Sequence, residues 1–176
     1  PAIAQGTTDI AAVPANLASV LYQKTNGGVQ VLTINTLGVL YLVENGEQVQ
    51  SVSDLKGKTI YASGKGATPE YALNYILKEN GLTPGKDVQI EWKSEHTECV
   101  AALAEHEDAA ALLPQPFVTT AQSKNDSLRV ALDLTEEWDK IQKDNGGNSS
   151  LVTGVTVVRT QFAQEHPEIV EDFMER

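Results

Sequence analysis

The sequence predicts an α/β fold built on a largely parallel sheet, and three observations carry that expectation. Short apolar runs alternate along the chain with segments of helical period. The runs are of strand length, and glycine or proline punctuates most of the junctions between them. No internal repeat, low-complexity tract or disordered linker interrupts this order, which is the pattern of strand-helix units.

Each element has a local reason. "DIAAV" (Asp9–Val13) suits a buried strand, and Pro14 and Asn16 open a helix running to about Lys24. Gly27 and Gly28 end it, and Val29–Ile34 and Val39–Val43 follow as strands. A short helical turn is expected at Ser53–Lys56, then a strand at Thr59–Ser63. Thr68 is placed to cap the next helix, with Pro69 at the first helical position, where no N–H is needed. Pro69, Leu73, Ile76 and Leu77 give that helix one apolar face. Gly81 stops it in the left-handed position, with Leu82 making the apolar cap contact. Val88–Lys93 alternates as a half-covered strand, and Glu95–His106 reads as a helix presenting Cys99, Val100 and Leu103. Strands at Asp108–Pro114, Leu128–Leu134 and Val152–Val158 alternate with helices at Pro116–Ser123 and Glu136–Asp144. A last helix, Gln161–Arg176, is interrupted by Pro167.

Composition bounds the function. The 176 residues suit one sizeable domain or two small lobes. Thirteen basic against 24 acidic residues give a net charge of −11, a field that repels nucleic acid and anionic membrane surfaces. The single cysteine excludes an internal disulfide, and no apolar run approaches the roughly 20 residues of a membrane-spanning helix. Both ends fall inside running sequence, so the chain reads as a piece of a longer or processed protein.

The segment Ser63, Gly64, Lys65, Gly66, Ala67, Thr68 draws the first functional reading. It joins the C-terminal end of a strand to a helix start, where ligands bind in open α/β sheets. Unpaired N–H groups and about half a positive unit charge gather at such a helix end. Small residues allow close approach, and Lys65 with two hydroxyls can donate. An ordinary capped turn is the competing account. A Walker loop is excluded by spacing, and the dinucleotide fingerprint fails because Pro69 stands in place of its third glycine. Two further strand ends resemble this one: Pro14, Ala15 and Asn16, and the segment Pro114, Gln115, Pro116, with Phe117 available to stack on a planar group.

Other chemistries find little footing. His96, Cys99 and His106 share one predicted helix, but no CxxC or HExxH spacing supplies a zinc set, so no metal and no cofactor are expected. No G-x-S-x-G elbow occurs, and no nucleophile pairs with a base at a legible spacing. Catalysis is not expected.

The order of "GTTDIAAVP", "SVSDLKGKTI", "YALNYILKENGL" and "FAQEHPEIVEDFM" resembles solute-binding proteins of ABC importers, nearest to the nitrate/sulfonate/taurine and thiamine-pyrimidine-precursor group. "VAALAEHEDAAALLPQP" is similar to that group's A-L-x-x-G-x-x-D-A stretch, with His106-Glu107 near the usual glycine. The resemblance implies a type 2 periplasmic binding protein fold of two α/β lobes joined by two crossing strands. Lobe one would be incomplete, comprising residues 1–50 and 152–176, with lobe two at 51–151. Asn16 and the segment Thr36, Leu37, Gly38 would face the interlobe cleft from lobe one, and Ser63–Thr68 with Gln115 from lobe two. The implied role is capture, by hinge closure, of a small polar or anionic solute: a sulfonate, a nitrate-like oxyanion or a pyrimidine-like molecule. The implied partners are the importer's transmembrane subunits. The protein would be a monomer at the periplasmic or extracellular face of the membrane, with or without a lipid anchor. An enzyme on the same fold (pyrimidine or menaquinone-pathway type) and a LysR-like effector-sensing domain stay open beside it. His96 and Cys99 both facing the cleft would favour the enzyme.

Overall fold

The computed structural model describes residues 2–175; Pro1 and Arg176, the ends of the expected first lobe and last helix, lie outside them. After a 3₁₀ turn at Ala2–Gln5 come β1 (Ile10–Pro14), α1 (Ala15–Lys24), β2 (Val29–Leu37) and β3 (Leu40–Asn45). A 3₁₀ turn at Val52–Leu55 leads into β4 (Thr59–Ser63), α2 (Thr68–Glu79), β5 (Gln89–Lys93) and α3 (His96–Glu105). Then follow β6 (Ala110–Pro114), α4 (Phe117–Lys124), β7 (Leu128–Asp133) and α5 (Leu134–Asp144). The chain ends in β8 (Val152–Arg159), α6 (Thr160–Glu165) and α7 (Pro167–Glu175).

These elements fall into two compact units, residues 2–37 with 152–175, and Gly38–Leu151. The first unit holds a three-stranded sheet in the order β1-β8-β2, antiparallel throughout. Its core gathers Ile3, Ala18, Leu21, Val29, Val155 and Val157 under α1. The second unit holds a five-stranded sheet, β5-β4-β6-β3-β7, in which β5, β4 and β6 run parallel and β3 runs antiparallel to both β6 and β7. One face of it packs on α2 and α5 through Leu73, Ile76, Leu77 and Ile141, and the other on α3 and α4 through Cys99, Leu103, Val118 and Ala121. Each fully buried aliphatic side chain of this kind contributes roughly 1.5–3 kcal/mol.

The largely parallel sheet expected from alternation is therefore corrected. Parallel pairing needs crossover helices, and β4, β5 and β6 are linked by them. Crossover helices also join β1 to β2 and β6 to β7, pairs that run the same way, but an antiparallel strand, β8 or β3, lies between the members of each pair. β8 returns from more than a hundred residues away to lie between β1 and β2, and β3 enters the second sheet from the opposite direction. Because β3 pairs on both sides within that sheet, the second unit begins at Gly38, ahead of the expected boundary at residue 50. Gly38 is likewise part of this unit, its N–H donating to the Leu151 carbonyl. The polypeptide leaves the first unit at the end of β2 and re-enters it at the start of β8, two neighbouring strands joined in register at Leu37 and Val152.

The helix expected after Ser63 forms, shifted by one residue. Ala67 takes the N-cap with extended φ and ψ, Thr68 becomes the first helical residue, and no side chain caps the end. Thr68 is drawn inward instead and is buried. The C-terminal expectation holds: Gly81 has φ +75, its N–H reaches Lys78, and the Leu82 N–H reaches Leu77 while its side chain is buried.

Candidate functional site

In the second unit, three neighbouring parallel strands end at one sheet edge and each is followed by a helix start. β4 ends at Ser63 before α2, β5 at Lys93 before α3, and β6 at Pro114 before α4. Strand parallelism makes the three turns coincide in space, so three sets of helix N-terminal N–H groups gather there. A depression of about 280 Å³ opens at this edge, lined by Ser63, Ser94, Glu95, His96, Thr97 and Phe117. Ser63 is itself only 7% exposed. The Phe117 and His96 rings pack at 4.8 Å, tilted by 47°. His96 Nδ1 is buried without a hydrogen-bond partner among the described residues, and burial pulls its imidazole below the ordinary 6.5, toward the neutral form.

The loop between β4 and α2 is shaped by Gly64 and Gly66, at φ +89 and +79, conformations that a side chain resists. The Ala67 N–H closes a turn onto the Gly64 carbonyl at 3.0 Å. Within the helix's first turn, the Glu70 carboxylate accepts the Gly66 N–H at 2.6 Å. Glu98 does the same one strand over, accepting the Ser94 N–H at 2.9 Å. The starts of α2 and α3 thus each hold one of their own carboxylates, as the helix dipole favours, while α4 has none in its first turn. Those two N–H groups are therefore already engaged within the chain. Gln115 also turns onto its own helix, its side-chain carbonyl accepting from the Thr119 hydroxyl at 3.0 Å.

Of the residues singled out in sequence, the structure therefore brings Ser63 and Phe117 to the depression. Gly64, Lys65, Gly66, Ala67 and Thr68 form the adjoining loop, and Gln115 does not line it. Ser94, Glu95 and Thr97 line it beyond the residues the sequence points to, and so does His96, which the sequence offers only as a metal ligand or a mark of an enzyme. The signal was available, since β5 runs into α3 as β4 runs into α2. Cys99, three residues on, is fully buried in the core, and burial pushes its thiol up to about 11, so it is neither exposed nor a nucleophile. The His96–Cys99 pair expected of an enzyme is not present at the depression.

In the first unit, Pro14, Ala15 and Asn16 occupy the junction of β1 and α1, and Thr36 and Leu37 the end of β2. Pro14 and Thr36 both stand opposite Gly154 of β8, one on each side of it. A side chain on Gly154 would come within 2.5 Å of Asn35 Oδ1 and 2.9 Å of Thr36 Oγ1, so it would have to displace those side chains. The Thr36 hydroxyl is donated to Asn35 Oδ1 at 2.9 Å, and Leu37 is exposed. No cluster of three or more metal-ligating side chains exists among the described residues.

Two α/β units linked by a pair of neighbouring strands, with polar loops at the strand ends, define a periplasmic binding protein fold. The chain belongs to the family described as "ABC transporter, phosphonate, periplasmic substrate-binding protein", whose profile matches residues 1–146. No curated protein matches it in sequence. Among solved structures it is similar to the periplasmic aliphatic sulphonate binding protein SsuA from Escherichia coli, at 17% identity and TM-score 0.71 over 99% of this chain and 55% of that one. An ABC transporter protein from Parabacteroides distasonis matches at 24% identity and TM-score 0.71, over 97% and 55% of the two chains. The alkanesulfonate-binding protein SsuA from Xanthomonas axonopodis pv. citri, bound to MOPS, matches at 20% and TM-score 0.64, over 99% and 55%. The chain thus spans about half the length of these structures, and at such identities the likeness is one of fold.

Proposed function

We propose that this chain is the solute-capturing part of an ABC importer's receptor, taking a small solute with a tetrahedral oxyanion head of the phosphonate or sulfonate class. The observation that carries the reading is the convergence of three helix starts on one depression that the largely buried Ser63 lines. Helix N-termini and hydroxyls are the donors that oxyanions require, and they can hold charge without a metal. Phe117 and the neutral His96 ring would border the organic substituent. Family membership supports the receptor role, and the sulfonate-binding proteins among the structural neighbours support the oxyanion class.

Closure of two lobes on the solute, docking on transmembrane subunits, a monomeric state and an extracytoplasmic location belong to the same proposal. Among the described residues no helix is long and apolar enough to cross a membrane. Loops surrounding a solute by hinge motion would link solute binding to docking through the closed state.

Isothermal calorimetry with ethylphosphonate, ethanesulfonate, nitrate and a hydroxymethylpyrimidine tests the reading. At least one oxyanion should bind, and Ser63→Ala should weaken it by about tenfold, the effect of losing one charge-assisted hydrogen bond. Absence of heat with all four, or binding that Ser63→Ala leaves unchanged, would reject this site.

A further inference from the structure

The chain carries four Asn-Gly pairs, at Asn26, Asn45, Asn80 and Asn145. Such pairs deamidate without an enzyme. The backbone nitrogen of the glycine gives up its proton to water or hydroxide and attacks the asparagine Cγ. A C–N bond forms, the side-chain nitrogen leaves as ammonia, and a five-membered succinimide closes. Water then adds to either ring carbonyl, giving aspartate or isoaspartate. Glycine permits the attack because no side chain obstructs the approach of its nitrogen. What decides the rate in a folded chain is freedom of that nitrogen and of the asparagine side chain.

The structure offers a matched pair. Asn80 and Asn145 each end a helix that is followed by a left-handed glycine, Gly81 at φ +75 and Gly146 at φ +69. The two motifs close alike, Gly81 onto Lys78 and Leu82 onto Leu77, Gly146 onto Lys143 and Gly147 onto Gln142. They differ in what holds them shut. At the first, the Asn80 side-chain amide donates to the Ile76 carbonyl at 2.8 Å and the buried Leu82 pins the turn to the core. At the second, the Asn145 amide reaches only the exposed Glu79 carboxylate at 3.1 Å, Gly147 has no side chain to anchor, and Gly147–Ser150 is exposed and has neither helix nor strand. The Gly146 N–H bond, at 3.2 Å, is also longer than that of Gly81, at 2.9 Å.

The other two pairs are restrained differently. Asn45 is a ladder residue of β3 opposite Leu128, so attack requires leaving the sheet. Gly27, after Asn26, is tied to the Tyr22 carbonyl at 2.8 Å. We infer that Asn145 is the chain's site of spontaneous modification. The product also changes the local contact: a donor to Glu79 becomes a second carboxylate facing it, between the C-terminal ends of α2 and α5.

The test is peptide mapping by mass spectrometry of the full chain aged at mildly alkaline pH, folded and in denaturant. Folded, Asn145 should lead Asn80 by about fivefold or more, the Boltzmann factor of opening one additional net hydrogen bond. In denaturant the four sites should converge, since each has glycine next. Deamidation of the folded chain led by Asn26, Asn45 or Asn80, or a lead at Asn145 that persists undiminished in denaturant, would overturn the assignment.

Discussion

Arg129 ties down the loop at residues 46–49, and its removal gives the sharpest test of how the second unit is held together. Glu44, the next-to-last residue of β3, is 2% exposed and accepts the Val49 N–H with both carboxylate oxygens, at 3.0 and 3.2 Å. Arg129, from the neighbouring β7, donates to Glu44 at 2.5 Å, to the Val49 carbonyl at 2.6 Å and to the Gly46 carbonyl at 2.8 Å. Arg129→Met keeps the stem but leaves a buried carboxylate with a single N–H. Stranding a buried charge costs about 3–5 kcal/mol. Arg129 is 30% exposed and the Val49 N–H remains, so the lower end, about 3 kcal/mol, applies. With a urea slope of about 1–3 kcal/mol per molar, the midpoint should fall by roughly 1–3 M. Both tryptophans, Trp92 and Trp138, pack in the second unit, so fluorescence during urea unfolding reads that unit directly. Glu44→Gln removes the charge and should cost less, about 1–2 kcal/mol. Adding Arg129→Met to Glu44→Gln should then cost clearly less than it does alone, a coupling of about 1–3 kcal/mol. Strict additivity, or an Arg129→Met midpoint within error of wild type, would refute the account.

His96 titrates below its ordinary value because burial disfavours its charged form, so the unfolded chain binds the extra proton first. Stability should therefore decline as pH falls below 6.5 toward the lower folded value, and His96→Gln should flatten that part of the profile in thermal melts; an unchanged slope would refute it. Cys99, fully buried with its thiol pushed up to about 11, should resist a disulfide reagent in the native state and react stoichiometrically once unfolded; fast native reaction would contradict its placement. Gly38→Ala forces a side chain into φ +68 and against the Thr135 hydroxyl, and should lower stability by about 1–3 kcal/mol in urea titration; a neutral result would refute the need for glycine there.

Element positions were legible in the sequence where a local cause was written in it. Thr59–Ser63 is a strand to the residue, because an apolar run sits between Gly57 and Gly64. The helix ending at Gly81 is legible for the same reason: a left-handed stop depends on glycine and not on any partner. Two of the six residues lining the depression were legible too, since Ser63 ends and Phe117 follows a strand whose end is marked by small residues or proline. The turn at Ser94–Thr97 is not legible as a ligand edge because "SEHT" contains no glycine and reads as an ordinary helix start. Its role comes from β5 pairing in parallel with β4, which brings the two turns to one edge.

Sequence by itself determined the local grammar of this protein: where helices stop, where strands lie, that the chain is strongly acidic, and which family order it resembles. Only tertiary structure decided strand direction and partner. Val152–Arg159 has the same apolar pattern whether it extends a parallel sheet or, as it does, runs antiparallel between β1 and β2. The alternation of side chains depends on which faces are buried, not on which strand lies alongside, so pairing is set by long-range packing. That same long-range choice assembled Ser63, His96 and Phe117, from three separate turns, around one hollow.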